Sequence, residues 1–294
     1  MTSGPLDHSV IGDFSSPPRR RWPMATLQAI FLLSVLIIWQ GLVRRPTPKA
    51  FGISLNPVAS PQPADTKPTL RVATFNIAGG VSPTDDRLDL DRTAKYLKGF
   101  DLVGLEEVHG VSVFDWRNQA QILGETLHLP WLFAPSETRW WHDSFGNGVL
   151  CDLQVDAWQR LPLSTSLSAS NRSLLRFQTY WNNSKITVLV THLDRHEDHD
   201  IELGAVLASF DDSPRPTLLL GDLNTDTLDP QLAKLRHDPT VTDVIDQTVG
   251  SSLPASNVDW IFARGLRCVS GGLMDNDASD HKLAWAELAL PVAP

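Results

Sequence analysis

Cysteine, tyrosine and methionine are scarce in this chain: two, two and three residues of 294. Two cysteines cannot build the disulfide framework of a small secreted domain, and Cys151 and Cys268 have neither zinc-knuckle nor CxxC spacing. They read as two separate buried thiols. A disulfide stays open at this stage, because sequence alone does not bring their Cα atoms within bonding distance. Basic charge is scarce where the chain looks globular. Residues 1–69 hold seven of the 25 Lys/Arg and three of the 34 Asp/Glu, so residues 70–294 hold 18 and 31, a net of −13. Nucleic-acid binding needs clustered cations, so a long DNA footprint is disfavoured, although a bound divalent ion would offset the charge locally. No disordered-chain composition dominates and no internal repeat is visible.

Long apolar runs are also few, and the one present lies near the N-terminus. Arg19-Arg20-Arg21 precedes 22 residues without formal charge, Trp22 to Val43, with LQAIFLLSVLIIWQGLV at their heart. At 1.5 Å per residue such a helix crosses a hydrocarbon core of about 30 Å, and Trp22 and Trp39 suit its interfaces. A cleaved signal peptide, whose apolar region of about 7–15 residues ends in a small-x-small site, fits less well. A buried core helix is the third reading. Arg44, Arg45 and Lys49 behind the span nearly balance the arginines before it. The short tail favours a single-pass anchor with the C-terminal part on the extracytoplasmic, periplasmic side. The expected division is a disordered cytoplasmic tail over 1–21, a transmembrane anchor over 22–43, a Pro-rich linker over 44–69 and a globular domain over 70–294.

From residue 70 the pattern changes. LRVATFNI (70–77) and DLVGLEEV (101–108) read as buried strands, alternating with helices over 86–98 and 116–127. Further strands are expected over 147–153, 173–181, 185–192, 217–222, 257–263 and 283–289, with helices over 199–210 and 229–237. Alternation followed by a run of strands predicts a layered α/β domain with mixed sheets.

The polar residues that stand out close those strands. Asn76 ends TFN and Glu107 ends LVGLEE. His192 and Asp194 end VLVTHLD, and Asp222 and Asn224 end TLLLGDLN. Asp259 interrupts NVDWIF, and Asp280-His281 precede LAWAEL. Singly each is most often a turn former or helix cap. Together they form a kit for phosphoryl transfer. Glu107, Asp280 and the Asn76 amide suit a hard divalent ion. His192 and Asn224 can neutralise developing charge. Asp222, or a His281–Asp259 pair, can orient and deprotonate water.

The ordered string TFN, LEEV, GNGVL, THLD, GDLN, VDWIF and SDH resembles the endonuclease/exonuclease/phosphatase superfamily, which includes DNase I-like nucleases, abasic-site endonucleases, neutral sphingomyelinases and inositol-polyphosphate phosphatases. The resemblance covers residues 70–290. It implies a four-layer α/β sandwich of two facing mixed sheets, here preceded by one transmembrane helix. It also implies Mg²⁺, or Mn²⁺ in its place, at Asn76, Glu107 and Asp280. His192 looks like the phosphate-stabilising histidine, Asp222 the water-orienting acid, Asn224 a phosphate-contacting amide and Asp259 the orienting carboxylate for His281. Asn147 of GNGVL is expected to line the substrate side.

There are departures from the family pattern. Glu106 stands where Gln is common, and Cys151-Asp152 where many relatives have Ser-Arg. Neither Tyr96 nor Tyr180 matches the active-site tyrosine of abasic-site endonucleases. RHEDHD (195–200) reads as a solvated, helix-capping loop rather than a metal site. Trp140-Trp141-His142 is core or a pocket rim facing an apolar substrate. The expected activity is metal-dependent hydrolysis of a phosphate ester, a phospholipid or small diester ahead of DNA or RNA. A non-catalytic tethered binding module of the same fold should have lost a key site residue, and none is lost. No protein partner is inferable.

Overall fold

The computed structural model describes residues 23–57, 67–111, 115–139, 142–163, 166 and 170–291. The expectations for the tail, Trp22, Trp140 and Trp141 lie outside the described residues. The chain divides into two units, residues 1–42 and 43–294. In the first, helix α1 (Met24–Leu42) keeps its large apolar side chains exposed, which removes the core-helix reading. Its Met24–Gly41 stretch has a mean hydropathy of 1.7 and is long and apolar enough to cross a membrane, a property it shares with a signal sequence.

The second unit holds two seven-stranded mixed sheets. In chain order its elements are β1 (Arg44–Pro46), β2 (Ala50–Gly52), β3 (Leu70–Asn76), α2 (Leu90–Leu97), β4 (Leu102–His109), α3 (Gln119–Leu127), β5 (Trp131–Arg139), β6 (His142–Cys151), β7 (Val155–Pro162), β8 (Ser173–Trp181), β9 (Ser184–His192), α4 (His199–Asp211), β10 (Thr217–Asp222), α5 (Pro230–Arg236), β11 (Val241–Asp243), α6 (Val244–Val249), β12 (Asp259–Arg264), β13 (Arg267–Met274) and β14 (Leu283–Ala289). One sheet runs β1-β5-β6-β4-β3-β14-β13, the other β11-β12-β10-β9-β8-β7-β2. Each has one parallel pair near its middle, β3 with β4 and β9 with β10. Asp89, Asn118 and Asp229 cap α2, α3 and α5 by accepting first-turn backbone N–H groups.

The residues expected as a Pro-rich linker, 44–69, include two strands paired into the domain. β1 pairs with β5 and β2 with β7, so one short segment edges both sheets. Thr47 and Leu55 are buried there. Proline tolerates this because an edge strand leaves an N–H side unpaired.

Alternation along the central strands sorts the core into layers. Leu70, Val72 and Leu102 face Val188, Val190, Leu218 and Leu220 between the sheets. Ala73, Phe75, Val103 and Leu105 face outward under Ala94, Leu97, Ala120 and Leu123 of α2 and α3. Helices α4 and α5 cover the other sheet through Leu203, Val206, Phe210 and Leu232. The sheets approach closely at Gly104, where a Cβ would lie 3.0 Å from Val190. Cys151 and Cys268 are separate thiols.

Candidate functional site

The same alternation delivers the site. The inward set of β3 ends on Asn76, that of β4 on Glu106, that of β9 on His192 and that of β10 on Asp222. In the ladders Asp222 stands opposite both His192 and Asp259, and Asn76 opposite Glu106. Five apolar strands therefore bring polar ends to one edge of the sandwich. Gly221 lets β10 finish there, because a Cβ would strike the Thr191 carbonyl of β9.

Asp222 is the hub. Its Oδ2 accepts from Asn76 Nδ2 at 3.0 Å and lies 3.4 Å from His192 Nε2 and 3.8 Å from His281 Nε2, while its Oδ1 accepts from Asn224 N at 2.9 Å. Burial, reinforced by the Asp259 carboxylate and opposed by His281, lifts its pKa to about 6. His281 Nδ1 meets Asp259 Oδ2 at 2.9 Å. Burial pulls this imidazole down, but Asp259, Asp222 and Asp280 outweigh it and raise it to about 9, so it is a cation at neutral pH. His192 behaves in the opposite way. Burial, then the Arg172 charge, pushes it well below the ordinary range. Arg172 Nη1 lies 3.1 Å from His192 Nδ1. A guanidinium only donates, so Nδ1 is the acceptor and Nε2 carries the proton.

The metal-side residues are more open. Glu107 sits at a β-bulge between Leu105 and Val108 with φ 57°, half-buried. Asp280 is exposed, and among the described residues its carboxylate is reached only by Ser279 Oγ, at 3.4 Å. Ser279 Oγ also donates to Asn76 O, tying the SDH loop to the end of β3. Asn76 Oδ1 accepts Ala78 N. Buried Asp259 Oδ1 has no hydrogen-bond partner among the described residues. Oxygen donors in excess of protein hydrogen bonds fit a hard divalent cation. Asp222, Asp259 and His281 also bring ligand atoms within 4.8 Å of one another, compact enough to hold an ion. Within that group His281 Nδ1 and Asp259 Oδ2 already bond one another.

Two predicted side chains bond to neighbouring residues rather than to one another in the cluster. Asn147 is buried on β6 and donates to Ser173 O, bracing the residue after Arg172. The Asn224 amide donates to Leu193 O and accepts from Arg195 Nε, so it knits the loops beside the site together. In RHEDHD, His199 bonds Leu223 O or Thr225 Oγ1 and Asp198 accepts Ser166 N, so the α4 N-terminus gets no side-chain cap from Asp198. No ion-sized acidic group forms there among the described residues. Sequence reading missed Arg172. Its signal was a lone cation directly before the apolar strand SLLRFQTYW in an acidic domain.

The sequence model described as Endonuclease/Exonuclease/phosphatase family matches residues 73–281. No curated protein matches the chain. Among solved structures, an endonuclease/exonuclease/phosphatase from Beutenbergia cavernae is 24% identical at a TM-score of 0.63, covering 78% of this chain and 73% of that one. One from Bacteroides vulgatus is 18% identical at 0.60, covering 76% and 100%. D. rerio TDP2 complexed with a single-strand DNA product is 17% identical at 0.56, covering 76% and 99%. At these identities the likeness is one of fold.

Proposed function

Because the chain belongs to the endonuclease/exonuclease/phosphatase family, whose members are divalent-metal-dependent phosphoesterases, we propose that it hydrolyses a phosphate ester with Mg²⁺, a phospholipid or small phosphodiester ahead of nucleic acid. The observation that carries the reading is the position of Asp222, one carboxylate within reach of Asn76, His192 and His281. With a pKa of about 6, Asp222 is ionised at neutral pH yet basic enough to take a proton from an attacking water. The Asp259-held His281 cation and the Nε2–H of His192 offer donors to a phosphoryl oxygen as its charge grows. Arg172 fixes the His192 tautomer from behind. Glu107 and Asp280, with the Asn76 carbonyl oxygen, would hold Mg²⁺, which when bound supplies Lewis-acid neutralisation of phosphoryl charge. The net charge of −13 over residues 70–294 and the apolar N-terminal helix order the substrates.

The test is hydrolysis by the full chain in detergent with Mg²⁺, on phospholipid vesicles, bis(p-nitrophenyl) phosphate and plasmid DNA. Asp222→Ala is expected to lower any rate by roughly 10²–10⁴-fold, the usual contribution of a positioned general base. An undiminished rate removes the assignment. Rapid plasmid nicking at physiological salt reverses the substrate order.

A further inference from the structure

Beside the cluster lies a cavity of about 540 Å³, within the size range of about 300–1,000 Å³ that encloses small ligands. Arg172 and Phe145 form its wall toward His192, and Arg139 and Arg44 line it as well. Its charge runs against the domain's: Arg44, Arg117, Arg139 and Arg172 against Asp115 and Glu137. Arg117 is spent on Asp115 and Glu125, at 2.8 and 3.0 Å, and Arg44 lies 3.7 Å from Glu137. Arg139 and Arg172 are left without a carboxylate in ion-pair range among the described residues, and the Nε of each is buried without a partner. Arg44 and Arg139 are moreover direct cross-strand partners in the β1–β5 ladder. Like charges so placed repel. An anion between them converts that repulsion into attraction, and guanidinium forks suit phosphate oxygens.

We infer that this cavity receives a second phosphate group of the substrate, so that the preferred ester carries a further phosphate beyond the one attacked. The inference rests on the phosphoesterase reading of the adjacent cluster. Arg172 touches both places, and Arg139 and Arg44 are the residues that tell a doubly from a singly phosphorylated substrate. Remote binding of this kind adds to kcat/KM without touching the reacting phosphorus.

Two matched pairs test it with the full chain in detergent or vesicles. One is soluble, glycerophosphoglycerol with and without a terminal phosphate. The other is a lipid, phosphatidylglycerol with and without a 3′-phosphate on its headgroup. In whichever pair is cleaved, the phosphorylated member should have the higher kcat/KM. Arg139→Gln should lower that value about 10- to 100-fold while leaving the other member and bis(p-nitrophenyl) phosphate within about twofold. Arg44→Gln, with a more exposed side chain, should move the same ratio in the same direction and by less. The responding pair identifies a soluble or a membrane source. Equal rates within both pairs, or an equal loss on both members in Arg139→Gln, overturn the inference. Should only bis(p-nitrophenyl) phosphate be cleaved, the four compounds serve as competitors, and inhibition no tighter by the phosphorylated members overturns it. Should nothing be cleaved, the phosphoesterase reading fails. Calorimetric binding of the phosphorylated soluble compound then judges the cavity alone, absence of binding overturning it.

Discussion

The two sheets contribute unequally to the site. From the β9–β10–β12 side come His192, Asp222 and Asp259, each buried, in ladder register and bonded to another member of the cluster. From the β3–β4 side and the loop before β14 come Glu107, on a left-handed bulge, and Asp280, exposed and nearly unbonded. The first group is fixed before any ligand arrives, which is what proton transfer and charge stabilisation require. The second offers carboxylates with few hydrogen bonds among the described residues, which suits the cation site proposed above. Strain at a non-glycine residue with positive φ persists only where the surroundings enforce it, and Glu107 is such a residue.

The sharpest way to break this contrast is to remove the open side. Glu107→Gln with Asp280→Asn should raise the Mg²⁺ needed for half-maximal rate at least about 100-fold, since outer partners of a metal site alone are worth 10–100-fold. Metal-free stability should hold steady or rise, because two like charges are relieved. In the unsubstituted chain Mg²⁺ at 100 times its Kd should stabilise by about 2.7 kcal/mol, and chelation should remove that gain. Thermal unfolding with and without EDTA checks both. An unchanged Mg²⁺ requirement would transfer the cation to the Asp222–Asp259–His281 group and dissolve the distinction between the two sides.

The fixed side has a smaller signature, readable without metal. His281 is raised from 6.5 to about 9 in the folded chain. A raised pKa means that the folded state holds the proton more tightly. Its stabilisation is therefore complete below pH 6.5 and is lost as pH rises through about 9. The contribution is on the order of 1–3 kcal/mol after allowance for partial exposure. Asp259→Asn removes the largest upward cause, the bond to Nδ1. Unfolding in EDTA across pH 6–10 should show the decline in the original chain and little of it in the variant. Equal slopes would mean that the pair is not charged as described.

How far the sequence carried these features depended on locality. Strands such as β3 and β10 declare themselves by largely apolar runs, so the polar residues that close them, Asn76 and Asp222, stood out in the sequence. The edges did not. β1 and β2 contain Pro or Gly and have no buried residue, so nothing local separates Arg44–Pro46 from a tether until β5 is present to pair with it. Arg172 was illegible for a related reason, since its meaning comes from His192, twenty residues away on the neighbouring strand. Asn147 was expected to line the substrate side, and in the structure its buried side chain donates to Ser173 O, beside Arg172.

Glu106 is the smallest test of the same comparison, because it lies between the two sides. Glu106 stands where Gln is common in the family it resembles. Glu106 is fully buried, its Oε1 accepts from Thr74 Oγ1 at 2.8 Å, and its Oε2 has no partner. Burial first, then the Asp259 and Asp222 carboxylates, pushes its pKa well above 4.5, against the opposing Thr74 bond and His281 charge. A carboxyl group so placed favours its neutral form, which is nearly isosteric with the amide it replaces. Glu106→Gln should therefore leave activity within about threefold, a change under about 1 kcal/mol. Its effect should emerge with pH instead. The folded state holds the Glu106 proton more tightly than the unfolded chain does. Stability from this group is thus complete below pH 4.5 and falls as pH rises through the folded value, whereas Gln has no proton to lose. The variant should gain stability relative to the original chain as the solution becomes alkaline. A loss of activity beyond about tenfold would show instead that the ionised carboxylate acts at the site, moving Glu106 from the framework to the cation side alongside Glu107.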